Sequence, residues 1–470
     1  MIELGQNSIR KNFVYNVLYQ LLRIAIPLVT VPFLSRTLGA ESIGVYSYSY
    51  TVANYFILFS MLGIENYGSK EVAKVRTKNL DEVASEIFSV HVLWSCVVLA
   101  AYVVYCLVSN SLAAWLWIPW LVASVFDVNW CLFGLEDFKV TTIRNSIIKV
   151  LSFVLILVLI KSPSDYWVYI SITSLSFVLS QIVVWPHLVR IINLKIVAPR
   201  RAIRHFKPMV VLFYPLIAVT LYSSVGKVYM GILGDLTMVG NYEYAEKLVS
   251  IPLQIVFALS TVVLPHISNM LGASSSEEID RLVNRSISSV LVGSIACSVC
   301  FIVCSEEIVE LFLGSEFVGS AEMLRVLAVT IPIAALNNTI GVQYLIPLGD
   351  EAYYSRAVVF GCVFSLVITP IAIMMMGGVG AAGTVVATDG FVLFIILIRY
   401  RNINHEHNAP ICILIVSVFA ACAAACCAIS LASFANGVLT ALGIKILAGV
   451  LVYVLVILIY GLFKRRINDI

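Results

Sequence analysis

Apolar stretches about as long as a membrane-crossing helix follow one another through almost the whole chain, and little polar sequence separates them. Fourteen are counted, at 12–35, 42–64, 87–108, 115–135, 147–161, 166–189, 209–233, 242–266, 286–304, 323–348, 356–376, 381–399, 410–432 and 441–463. The fifth is the shortest. A soluble core cannot absorb this much apolar surface, because polar side chains must cover it. Hydrophobic residues make up 60% of the 470 and charged residues 12%, so a soluble enzyme or a nucleic-acid binder is excluded. The expected fold class is an all-α polytopic membrane protein. The connectors are short, so no soluble domain is inserted between spans.

Charge placement orients the spans. With the N-terminus in the cytoplasm, and with the span-end residues Arg356, Arg399 and Lys161 counted with the loops they adjoin, inside segments hold 22 of the 30 Lys and Arg residues, outside loops hold 2 (Arg36 and Lys161), and 6 lie in spans. The linker after the sixth stretch carries Arg190, Lys195, Arg200, Arg201, Arg204 and Lys207 with no acid. The longest outside loop, 305–322, carries Glu306, Glu307, Glu310, Glu316 and Glu322 with no base. Lys464, Arg465 and Arg466 then place the C-terminus inside, and two cytoplasmic termini require an even number of spans.

An internal repeat organises the chain. Leu38-Gly39 is followed by Gly44, Tyr46 and Tyr48; Leu233-Gly234 is followed by Gly240, Tyr242 and Tyr244, the Gly-x-Tyr-x-Tyr pieces being 196 residues apart. Both copies fall at an outside turn between an odd and an even span. An even number of spans separates them, so the repeat is parallel. The expected organisation is an N-terminal lobe at 1–189, a basic linker at 190–208, a C-terminal lobe at 209–399 and a terminal helix pair at 400–470.

Deep polar residues mark the candidate site. At 100° per residue, Asn16, Tyr19, Gln20, Arg23, Pro27 and Thr30 return to one face of the first span. An arginine at mid-bilayer costs at least ~2.5–3.5 kcal/mol on insertion scales, so Arg23 faces either a watery cavity or a buried acid. Asp127 and Asp389 are as deep, each read as a proton or cation carrier or as the partner of Arg23. Lys227 lies beside Thr220, Ser223 and Ser224, and Asn337, Asn338 and Gln343 are candidates for a polar cavity wall. Lys149, Lys247, Arg325 and Lys445 lie near span ends and are read as snorkelling to water, and Glu246 and Lys247 as solvated. Pro27, Pro32, Pro215, Pro252 and Pro332 interrupt spans and free backbone acceptors there. The 11 cysteines lie in apolar runs; Cys297, Cys300 and Cys304 share a face without His or acid and are read as packing, with no metal site.

The stretch LGAESIGVYSYSYTVANYFILFSMLGIENYGSKEVAK resembles the first-hairpin signature of bacterial polysaccharide flippases of the Wzx type, within the multidrug/oligosaccharidyl-lipid/polysaccharide exporter superfamily. GNYEYAEKLVSIPLQIVFALSTVVLPHISNM is similar to that family's span-eight region, and LFLGSEFVGSAEMLRVLA with GVQYLIPLGDEAYY to its ninth-to-eleventh spans. The resemblance implies two helical lobes around a cationic cavity and movement of an undecaprenyl-pyrophosphate-linked oligosaccharide to the outer leaflet by alternating access. The implied end product is O-antigen, capsule or exopolysaccharide, made at the bacterial cytoplasmic membrane.

On that reading Arg23 and Lys227 meet the pyrophosphate, Asn16, Tyr19, Gln20, Asn337 and Gln343 meet sugars, and Asp127 and Asp389 are ion-coupling candidates. Tyr46, Tyr48 and Tyr50 are further candidates for sugar stacking. Expected partners are the lipid-linked oligosaccharide, membrane lipids and the polymerase of the same pathway. No cofactor is expected beyond a coupling proton or sodium gradient. Two rivals remain: a drug or organic-cation antiporter of the same superfamily, which would place acids in the cavity, and a membrane polymerase or ligase, which would need a long outside loop bearing Arg or His.

Overall fold

The computed structural model describes the backbone of residues 6–75, 79–270, 276–403, 408–433 and 437–468. Side chains of 1–24, 138–140, 215, 258–266, 268–269, 276, 404–411 and 463–468 lie outside the described residues. In chain order the helices are α1 Gln6–Met61, α2 Ile64–Val75, α3 Leu80–Ser109, α4 Leu112–Trp115, α5 Ile118–Val125, α6 Asn129–Gly134, α7 Phe138–Leu159, α8 Tyr166–Leu188 and α9 Pro199–Ala202. They continue as α10 Phe206–Ile232, α11 Leu236–Met270, α12 Ser276–Val303, α13 Ser305–Phe312, α14 Gly319–Ala328, α15 Thr330–Asn337, α16 Glu351–Ile403, α17 Asn408–Ala432 and α18 Val438–Asn468. There is no strand among the described residues, and the protein is an all-α polytopic membrane protein.

All fourteen apolar stretches are helical. Eight helices are long and apolar enough to cross a bilayer, or nine if the pair bent by 48° around residue 215 is taken as one span. Two very long helices each carry two of the stretches. A straight α16 of 53 residues would reach about 80 Å, against a hydrocarbon core of ~30 Å. It folds back instead at Gly377, whose φ of 58° suits a residue without Cβ. In α1 the helical path is interrupted at Gly39 (φ 75°), and Gly234, its counterpart in the repeat, has φ 84°.

The fourth and tenth stretches are broken. The fourth is cut into α4, α5 and α6; the tenth runs through α14 and α15 into a wide π turn at Asn338–Leu345. The fifth corrects the expected limits: α7 begins at Phe138, nine residues before 147. Thr141, Thr142, Arg144 and Asn145 read as loop, yet they extend the helix, with Arg144 and Asn145 facing polar partners.

The chain divides into two compact units, Met1–Thr220 and Leu221–Ile470. In the first, a core gathers Ile64, Val72, Ile87, Trp130, Leu132, Val184, Leu188, Ile192 and Met209. Trp130 is fully buried against Gly68, where a Cβ would lie 2.4 Å from the indole, so α2 and α6 approach as only glycine permits. The linker is bolted to α3: the N–H groups of Asn193, Lys195 and Val197 donate to Asp81 Oδ1 (3.2 Å), Ser85 Oγ (3.0 Å) and Ser89 Oγ (2.9 Å). The three acceptors are four residues apart and so share one helix face.

In the second unit the limbs of α16 pair antiparallel. Thr369 Oγ1 donates to Thr384 Oγ1 (3.2 Å), and a Cβ on Gly361 would lie 2.4 Å from Val392 Cγ2. A Cβ on Gly380 would lie 2.1 Å from the Ala372 carbonyl oxygen, a backbone atom with no room to retreat. Gly380→Ala is therefore expected to cost about 1–3 kcal/mol by overpacking. A lowered melting temperature of the purified protein, beside an unchanged one for Gly383→Ala in open space, checks this.

Candidate functional site

A cavity of about 680 Å³ opens within the first unit. It falls in the size range of small-molecule sites, ~300–1,000 Å³. Its wall includes Ile26 and Thr30 of α1, Asp127 and Asn129 at the α5–α6 break, one stripe of α7 and one face of α8. The α7 stripe is Arg144, Asn145, Ile148, Lys149, Ser152, Phe153 and Ile156, a spacing of three and four that keeps one helix face inward. From Arg144 to Ile156 the stripe rises about 18 Å.

One end of the cavity is ionic. Arg144 is buried, and its guanidinium donates to Asn145 Oδ1 (Nη2, 2.7 Å; Nε, 3.1 Å), Asn129 Oδ1 (3.0 Å) and the Ser180 carbonyl (3.2 Å). Such a fork holds the charge fixed in direction, as a lysine would not. Asp127 is tied in as well. Its carboxylate accepts the first backbone N–H of α6 (Asn129, 3.0 Å), Asn129 Nδ2 (2.8 Å) and Gln181 Nε2 (2.6 Å). Asn129 thus bridges Asp127 to Arg144. The named charged groups of the wall are two cations, Arg144 and Lys149, and one acid, Asp127.

Aromatic rings form the rest. Tyr46 stacks on Tyr169 (centroids 4.1 Å apart) and on Tyr50 (5.9 Å), while Trp120 stacks on Tyr50 (5.3 Å) and Phe177 (4.4 Å). Tyr46, Tyr169, Trp120 and Phe177 all border the cavity. Trp117 Nε1–H donates to Ser49 Oγ (3.0 Å) and fixes the platform from behind. Flat rings beside hydrogen-bonding side chains suit ligands with both apolar faces and polar rims.

The sequence-derived site is only partly gathered here. Tyr46 and Asp127 line the cavity, and so does Lys149, which the sequence reading treated as snorkelling. Asn16, Tyr19, Gln20 and Arg23 belong to α1, but their side chains lie outside the described residues. Lys227, Asn337, Gln343 and Asp389 belong to the second unit. Lys227 is buried in an ion cluster, its ammonium 2.6 Å from Glu243 and in contact with Glu246, while Lys247 lies 3.0 Å from Glu243. Two cations and two carboxylates balance there. Glu246 and Lys247, expected to be solvated, are part of this cluster.

Asn337 Nδ2 donates to the Asp389 carbonyl (3.0 Å), and Gln343 exchanges long contacts with Ser286 (3.4 Å) and Asn338 (3.5 Å). Asp389 is buried beside the Tyr222 hydroxyl, and the Asn337 amide oxygen and the neighbouring Thr388 hydroxyl are buried without a hydrogen bond. No cluster suited to a metal ion occurs among the described His, Cys, Asp and Glu residues. Sequence reasoning missed Arg144, Asn145, Asn129 and Gln181. The signal available was the three-and-four spacing from Arg144 to Ile156, obscured by starting the fifth span at 147.

The family model for polysaccharide biosynthesis proteins matches residues 9–271, more than half of the chain. The chain belongs to that family. A second family model, MatE, matches 212–371. A putative O-antigen transporter of Escherichia coli (strain K12) is 22% identical over 410 residues, 84% of this chain and 97% of that one. A probable low-salt glycan biosynthesis flippase, Agl15 of Haloferax volcanii, is 27% identical over 161 residues, 34% of each chain. In fold the protein is similar to the lipid II flippase MurJ in an inward closed conformation (TM-score 0.72, 15% identity, 97% of this chain and 99% of that one). It is also similar to an inward-facing multidrug resistance transporter of the MATE family (TM-score 0.62, 15% identity, 82% and 94%). The relatives of this family member are named as transporters and flippases, and the fold is that of transporters.

Proposed function

We propose that the protein is a flippase that carries an undecaprenyl-pyrophosphate-linked oligosaccharide from the cytoplasmic to the outer leaflet for surface polysaccharide synthesis. The observation that carries this reading is the cavity of the first unit, cationic at one end and aromatic along its wall. The fixed guanidinium of Arg144 and the Lys149 ammonium suit a diphosphate electrostatically. Tyr46, Tyr169, Trp120 and Phe177 suit sugar faces, and Asn145, Ser152, Thr173 and Gln181 suit their hydroxyls. The prenyl tail stays in the lipid. The stripe of Arg23 in the first span runs on to Thr30, which borders the cavity, so Arg23 is assigned to the same head-group site.

Lys227 takes a different role in this proposal. Its charge is matched by Glu243 and Glu246, so it acts by holding the second unit together or by exchanging partners during the cycle. Organic-cation antiport has less support, because Arg144 and Lys149 outnumber Asp127 among the charged groups of the wall and repel a cation. Alternating access moves the head group, and net flux requires an ion gradient or consumption of the product.

Of the two coupling candidates, Asp127 is engaged by Asn129 and Gln181, which leaves Asp389 as the proposed carrier. Asp389→Asn is expected to abolish the dependence of transport on a sodium or proton gradient; a variant that keeps that dependence returns coupling to another group.

The test of the function itself is the leaflet distribution of lipid-linked oligosaccharide in cells with and without the protein. Trapping on the cytoplasmic side in its absence is expected. Normal outer-leaflet exposure in a strain with no other flippase refutes the proposal. Arg23→Ala in the same assay assigns Arg23: trapping places it with the head group, and normal exposure makes it a structural partner.

A further inference from the structure

The 190–207 segment carries a surface that transport of the head group does not use. Its backbone is pinned to α3 by the three N–H donors of Asn193, Lys195 and Val197, so its outward side chains cannot turn inward without breaking those bonds. Ile192, Ala202 and His205 are buried on the inner side. His205 is held by Glu86 Oε2 (3.0 Å) and by the Tyr67 hydroxyl (2.7 Å). On the outer side Ile191, Ile196 and Ile203 are 43%, 66% and 66% exposed. All six cations of the segment are exposed, and they alternate with these isoleucines. Arg204 is turned to Glu86 and Arg201 lies 3.9 Å from Glu82, which leaves Arg190, Lys195, Arg200 and Lys207 to set the charge of the face.

We propose that this segment is a docking site for the anionic phospholipid headgroups of the leaflet it faces. A segment immersed in water gains nothing from three exposed isoleucines set between its cations. One lying in the interface does: the isoleucines enter the acyl boundary while the cations meet phosphates. Charge selects the partner. Four cations with no acid in the same segment distinguish an anionic headgroup from a zwitterionic one, each Lys or Arg near such a surface being worth an appreciable attraction. Continuity with lipid-facing helix also fits, since Val189 before the segment and Val211 and Tyr214 after it are 62%, 57% and 58% exposed. The positive-inside reading puts this face on the cytoplasmic leaflet, where anionic lipid is enriched. The inference is independent of what the protein transports.

The test uses the full-length protein in nanodiscs of phosphatidylcholine with added phosphatidylglycerol, and native mass spectrometry reads the lipids that stay bound. The wild-type ratio of retained phosphatidylglycerol to phosphatidylcholine is expected to exceed that of the fourfold variant Arg190→Gln, Lys195→Gln, Arg200→Gln, Lys207→Gln by about tenfold. A control with Arg281→Gln, Arg356→Gln and Arg401→Gln is expected to keep the wild-type ratio. Ile196→Ser with Ile203→Ser is expected to lower retention of both lipids and leave the ratio intact. Equal ratios in wild type and the fourfold variant overturn the proposal, and so does an equal fall in the control. Stripping of phosphatidylglycerol by millimolar pyrophosphate also overturns it, because the segment would then be a site for free phosphate.

Discussion

Lys227→Met is expected to destabilise the protein by about 3–5 kcal/mol, because it takes from the buried Glu243 and the half-buried Glu246 the cation they share. Glu243 and Lys227 are both buried, and the ammonium bridges Glu243 and Glu246 across the α10–α11 turn. Deleting one partner of such a pair exposes the desolvation cost of the other. Lys247 lies on the far oxygen of Glu243 and offsets only part of the loss. Glu243→Gln with Glu246→Gln in the Lys227→Met background is expected to recover most of the stability, since neutral amides carry no such penalty. Thermal melting of the three proteins in detergent checks both steps. Had Lys227 served as an open phosphate ligand, Lys227→Met would melt near wild type and fail only in transport.

Arg144→Gln is expected to lower delivery of the lipid-linked oligosaccharide by at least about tenfold, the loss of one hydrogen-bonded charge being worth ~1.5–3 kcal/mol. The guanidinium is held by Asn145, Asn129 and the Ser180 carbonyl, so its direction is set before any substrate arrives. Arg144→Lys keeps the charge and loses the fork, and an intermediate rate is expected. Loss of stability is the competing explanation, because either variant loses the fork that serves all three acceptors at once. Melting of both proteins beside the transport assay separates the two: a shared small shift with unequal transport assigns the effect to charge.

The fold was largely legible because its main determinants act over short distances. Each apolar stretch declares a helix by length alone. The two glycines of the repeat declared turns, and both Gly39 and Gly234 have the positive φ that only glycine adopts without strain. Asp127 and Asp389 were legible from depth, since a carboxylate in mid-span requires a reason. What depth could not give was the partner. Lys227 and Glu243 are 16 residues apart on different helices, and only the α10–α11 packing brings them together.

The cationic end of the cavity was hidden for the opposite reason. Arg144 follows a run of polar residues at the start of α7, which reads as a cytoplasmic loop in any count of basic residues by side. Its role depends on where Asn129, Gln181 and Ser180 stand, and those positions follow from the break of the fourth stretch into α5 and α6. Asp127, at that break, accepts the first backbone N–H of α6. A broken span and a polar stripe facing it are one feature, seen only when both are placed.

Transbilayer movement in a purified system tests the central claim most directly. The full-length protein would be reconstituted into liposomes carrying lipid-linked oligosaccharide in the inner leaflet, and a glycosidase added outside would read its arrival. Vesicles with wild-type protein are expected to expose the oligosaccharide well above the rate of empty vesicles, with Arg144→Gln close to the empty rate. Wild-type vesicles that expose it no faster than empty ones, with the protein folded and inserted, would contradict the account.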